Sequence, residues 1–83
     1  MVRERTLTVI SFTEPTEYLG ISDIVLIVNN TKESTWSYVQ KKPGKFIVSY
    51  VDDSGDSLEY FYKSYPEAVV SALELVNFDT QED

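Results

Sequence analysis

The stretch from residue 46 to residue 62 restricts the fold of this chain more than any other. It reads Phe46-Ile47-Val48-Ser49-Tyr50-Val51, then Asp52-Asp53-Ser54-Gly55-Asp56, then Ser57-Leu58-Glu59-Tyr60-Phe61-Tyr62. Two runs of β-branched and aromatic residues flank a cluster of turn formers, which is the signature of a β-hairpin. Gly55 fits the left-handed bulge position that closes a three-residue loop built on a type I turn. That loop pairs Asp52 with Asp56. It therefore pairs Tyr50 with Leu58, Val48 with Tyr60 and Phe46 with Tyr62, which makes one face of the hairpin almost wholly aromatic or aliphatic. A two-residue loop would slip the register by one and mix polar with apolar residues on both faces.

The rest of the chain supplies partners for this hairpin. Residues 7–12 alternate loosely and predict a first strand. Residues 13–20 contain Pro15 and end in Gly20, which suggests one helical turn or an ordered loop. The run 24–28, Ile-Val-Leu-Ile-Val, predicts a strand covered on both faces and is the candidate centre of the sheet. Asn29-Asn30-Thr31-Lys32 reads as a turn; no secretory leader is expected from residues 1–10, so its glycosylation sequon is given no further weight. A further strand over 35–40 alternates Trp36 and Tyr38 with Ser37. Pro43-Gly44 then suits a type II turn, with proline fixing φ and glycine supplying φ > 0.

After the hairpin, Ser64 and Glu67 have the spacing of a capping box, and Pro66 lies where its missing N–H is harmless. Ala68, Val69, Ala72, Leu73 and Val76 make a narrow stripe of helical period. The pattern predicts a helix over 65–77 lying flat on a sheet, followed by a frayed acidic tail over 79–83. The fold class is α+β: an antiparallel sheet of four to five strands with one C-terminal helix packed on a face. At 83 residues the whole chain, 1–83, is read as one domain with a thin core. One narrow helix cannot cover both faces of such a sheet, so exposed apolar surface is expected to remain.

Chemistry is restricted by what is missing. The chain has neither histidine nor cysteine, so catalytic triads, thiol nucleophiles, thiolate zinc sites and disulfides are excluded. Asp52, Asp53, Asp56 and Glu59 could be read as a glycosidase pair, but a hairpin tip offers no enclosing cleft. The same cluster lacks the twelve-residue spacing and closing glutamate of an EF-hand loop. The three glycines are isolated at turns, which leaves no phosphate-binding loop. No enzyme activity, cofactor or metal is expected.

Charge and aromatics point to binding. The net charge of −7 is lopsided: residues 1–45 sum to +1 and residues 46–83 to −8. An acidic pole repels phosphate backbones and anionic membranes, so neither nucleic acid nor membrane is an expected partner. No apolar run reaches the ~20 residues that span a bilayer, and a cytoplasmic location is expected. The candidate partner-binding residues are the acidic Asp52, Asp53, Asp56 and Glu59 and the aromatic Trp36, Tyr38, Tyr60 and Tyr62, because tyrosine and tryptophan are enriched at interfaces.

The expected function is that of a small acidic protein-binding module, an inhibitor or modulator of a larger basic partner that handles nucleic acid. In size, charge and lack of cysteine the chain resembles the general class of phage-encoded DNA-mimicking inhibitors, including anti-CRISPR and anti-restriction proteins. The resemblance implies that the carboxylates stand in for phosphates. Two alternatives remain: a dimeric sheet that binds single-stranded nucleic acid through exposed aromatics, or a structural subunit of a larger assembly. A homodimer is compatible with each.

Overall fold

Every strand pairs antiparallel with its neighbour in sequence. The computed structural model describes residues 7–78, so the expected acidic tail lies outside the described residues. It contains strands β1 (Leu7–Tyr18), β2 (Ile21–Asn30), β3 (Thr35–Lys42), β4 (Lys45–Val51) and β5 (Ser57–Tyr62), followed by helix α1 (Tyr65–Phe78). The sheet order is β1-β2-β3-β4-β5. This is the α+β architecture expected from the sequence, with the helix packed across β2, β3 and β4 and only touching β5.

The β4–β5 hairpin has the register that the three-residue loop requires: Tyr50 faces Leu58, Val48 faces Tyr60 and Phe46 faces Tyr62. Gly55 takes φ +94°, a conformation that would strain any residue with a Cβ. Gly44 likewise takes φ +76° in the β3–β4 turn.

Three expectations need correction. Residues 13–18 form neither a helical turn nor a loop; they continue β1 as an extended strand. Pro15 cannot donate to the ladder, and the pairing with β2 shifts between Ser11 and Thr16 around it. Asn29 and Asn30 belong to β2, and the turn begins only at Thr31. The run 24–28 is buried throughout, but β3 is the central strand and β2 lies one place off centre. β2 stays buried because the helix covers one of its faces, while on the other Ile27 lies between its cross-strand partners Ile10 and Tyr38. The β2–β3 register shift at Val25 lets both Val25 and Leu26 join the helix-side core.

The helix is started by its own sequence. Ser64 Oγ accepts a hydrogen bond from the Glu67 amide at 3.4 Å, and the Ala68 amide donates to the Ser64 carbonyl at 3.2 Å. The rings of Phe46 and Tyr65, with centroids 5.5 Å apart, seat its first turn on β4. Ala68, Ala72 and Val76, spaced by four, are fully buried against Val28, Val39 and Val48. Small side chains along this stripe let the helix backbone approach the sheet closely. Ser37 Oγ donates to the Ala72 carbonyl and Asn30 Nδ2 donates to the Val76 carbonyl, both at 2.9 Å. The second bond satisfies a carbonyl in the last turn of the helix, where intrahelical donors run out. Asn30 Oδ1 also accepts from the Glu33 amide at 3.2 Å, so one buried side chain closes the β2–β3 turn and caps the helix.

Replacing Asn30 with alanine leaves the buried Val76 carbonyl without its donor and the part-buried Glu33 amide without its acceptor, and should lower stability by about 1–3 kcal/mol. Its exposed neighbour Asn29 provides the control, and Asn29→Ala should stay within about 0.5 kcal/mol of the parent. Urea unfolding followed by circular dichroism distinguishes the two outcomes.

Candidate functional site

Antiparallel geometry determines which backbone groups of β5 remain open. The Asp52 amide donates to the Asp56 carbonyl at 3.0 Å, which makes that pair a hydrogen-bonded one. Bonded and non-bonded pairs alternate from there, so Leu58, Tyr60 and Tyr62 exchange backbone bonds with β4. The N–H and C=O groups of Ser57, Glu59 and Phe61 therefore point away from β4. Among the described residues β5 ends the sheet, and these groups form its open edge.

The side chains along this edge are unusually apolar for a surface strand. Phe61 is 58% exposed, Leu58 55% and Tyr60 37%. Leu58 and Tyr60 point to the helix side, and Glu59 and Phe61 to the opposite side. Because α1 lies over β2–β4, it leaves a groove between itself and β5. Tyr50, Leu58, Tyr60, Tyr62, Ser71, Glu74 and Leu75 line it. Tyr62 Oη donates to Ser71 Oγ at 2.9 Å, tying the end of β5 to the helix. A second, shallower depression continues past Tyr62 to Pro66, Glu67 and Val70.

The acidic residues singled out from the sequence divide into two roles. Asp53 and Asp56 are exposed at the hairpin tip, and Glu59 is exposed on β5. The Asp52 carboxylate is engaged in the turn itself. Its Oδ1 accepts from the Ser54 hydroxyl at 2.9 Å and from the amides of Ser54 and Asp56, each at 3.0 Å. The Ser54 hydroxyl is the main reason its pKa lies below the usual aspartate value; desolvation opposes it, and the turn amides of Asp56, Ser54 and Gly55 add to the lowering. Asp52 thus shapes the tip that presents Asp53 and Asp56.

The four aromatic candidates do not share a face. Trp36 and Tyr38 stack on the side opposite the helix, their ring centroids 5.1 Å apart. Tyr60 and Tyr62 lie on the helix side, as their pairing with Val48 and Phe46 requires. At one end of the face that carries Trp36 and Tyr38, the Lys45 ammonium lies 4.9 Å from the centre of the Phe61 ring. Lys42 is held there by Asp23 at 3.1 Å, a half-exposed pair still screened by solvent and of modest energetic weight.

Several residues of the groove and of the β5 edge were not among the candidates read from the sequence. Leu58 and Phe61 are ordinary members of a β pattern, and only their place on the last strand makes them open. Ser71 and Glu74 lie off the buried stripe of the helix, which is the one sequence signal that marks them as surface. Among the described residues no set of acidic side chains converges to hold a metal ion, and no helix is long and apolar enough to cross a membrane.

The Asp52 turn should depend on pH in a definite direction. A carboxyl whose folded pKa is depressed contributes stability above its unfolded value and loses it as pH falls through the folded one. Acidification below the ordinary aspartate range should therefore loosen the hairpin tip, visible as faster exchange of the Asp56 amide in NMR spectra. Asp52→Asn keeps an acceptor oxygen and should remove this pH dependence, whereas Asp52→Ala should loosen the tip at every pH. Comparison of the chain with protein-family models, with curated proteins and with solved structures finds no match, so the functional reading rests on this geometry.

Proposed function

We propose that the protein is a small acidic binding module that docks on a basic surface of a larger, nucleic-acid-handling protein and modulates or inhibits it. One observation carries this reading: Asp53, Asp56 and Glu59 are exposed beside Leu58, Tyr60 and Phe61, on and next to a single edge strand. Exposed carboxylates alone would be a solubility feature, and exposed apolar residues alone could be incidental. Together they match the make-up of an interface, with aromatic anchors for affinity and charges that steer approach and select the partner. A role like that of phage-encoded anti-CRISPR or anti-restriction inhibitors is consistent with this arrangement, the carboxylates occupying positions that phosphates would otherwise take on the partner.

The alternative, single-stranded nucleic acid stacked on Trp36 and Tyr38, draws support from the open aromatic face and the lysines at its end. The net charge of −7 and the separation of the aromatics onto two faces weigh against it.

A partner captured from the native host and identified by mass spectrometry allows a kinetic test. The triple variant Asp53→Asn, Asp56→Asn, Glu59→Gln should fold normally and bind with an association rate lowered about tenfold at low salt. Wild-type association should slow steeply as salt rises. Unchanged rates and salt dependence would return the acidic surface to a solubility role. Tight binding of oligothymidine in physiological salt would establish the alternative instead.

A further inference from the structure

The two edges of the sheet differ in a way that bears on how a partner binds. β1 is interrupted by Pro15 and by pairing shifts on both sides of Thr16, devices that keep an edge from pairing with another chain. β5 has no proline and keeps an unbroken register with β4 from Ser57 to Tyr62. Its outward N–H and C=O groups, at Ser57, Glu59 and Phe61, are spaced as a ladder needs. Glu59 is its one charged side chain.

We infer that the partner is engaged by strand addition at β5: an extended segment alternating basic and apolar residues pairs antiparallel with it and extends the sheet. The inference rests on the proposed acidic-module function and specifies its mode. Side chains opposite Leu58 and Tyr60 point to the helix side, so the segment's apolar residues enter the groove formed with Tyr50, Tyr62, Glu74 and Leu75. Its basic residues lie opposite Glu59 on the other side, near the carboxylates of the hairpin tip. Charge selects this occupant over a second copy of the chain. Two copies joined at β5 would bring acidic edges together, each on a molecule of charge −7. The lysines at the far end, Lys45 and Lys63, confine the attraction for basic residues to the hairpin half of the strand.

The test uses the intact protein and a short capped peptide alternating lysine and valine, with two N-methylated versions of it. In antiparallel addition the lysine amides point at β5 and the valine amides point away. Methylating the lysine amides should weaken binding roughly tenfold or more, while methylating the valine amides should leave it nearly unchanged. The unmodified peptide should also slow exchange of the Ser57, Glu59 and Phe61 amides, with those of Leu58 and Tyr60 little changed. Equal binding of both methylated peptides would overturn strand addition and leave the acidic-module reading standing. Loss confined to the valine-methylated peptide would overturn the antiparallel arrangement. Failure of all three peptides to bind would overturn both readings. A peptide-free dimer in sedimentation, with the same three amides protected, would show that the occupant is a second copy and overturn the choice made here.

Discussion

The close approach of α1 to the middle of the sheet governs most of what this molecule presents to its surroundings. Ala68, Ala72 and Val76 allow the approach, and Ser37 and Asn30 fix it by donating to the helix carbonyls that come within reach. Each donor is a buried polar side chain that would be destabilising without its acceptor, so the helix has one favourable position along β2 and β3. A broader helix face would have tolerated sliding. Held over β2–β4, α1 cannot also cover β5, and the helix-side residues Leu58 and Tyr60 remain open. The groove is thus a by-product of where two hydrogen bonds anchor a narrow helix.

The acidic surface acquires direction from the same layout. The hairpin tip and β5 share one edge, and Glu67 and Glu74 project from the neighbouring helix. Lys41, Lys42 and Lys45 gather instead at the β3–β4 turn, at the opposite end of the strands from the acidic tip. The lopsided charge along the sequence becomes a lopsided charge along the sheet. Asp52 adds a distinction that composition cannot make, since one of the clustered carboxylates is spent on shaping the loop that exposes the others.

Much of this was legible in the residues themselves. The hairpin register followed from Gly55 and the segregation of apolar side chains, and the helix followed from Ser64, Glu67 and the spaced alanines. Both rest on local chemistry, which a sequence displays directly. What was not legible depended on distant partners. Residues 13–18 looked like a loop because proline and glutamate disfavour strands, yet pairing with β2 holds them extended. Asn30 looked like a turn residue because asparagine usually is one; its burial depends on a helix carbonyl 46 positions away. The four aromatics looked alike, and only the registers of β3 and β5 against the β4 strand between them assigned them to opposite faces. The docking edge was hidden for a similar reason, because a strand is open only if nothing later in the chain pairs with it.

The unbroken neighbour-to-neighbour order of the strands has a consequence for how the chain reaches this state. Each hairpin closes a short loop, so the sheet can grow one strand at a time without waiting for distant segments to meet. The helix is different. It has no site until β2 and β3 are side by side, because Asn30 and Ser37 come one from each. Docking of α1 is therefore the step that converts a set of local hairpins into a cooperative whole. Until it occurs, the apolar side of the growing sheet lies open to any passing chain.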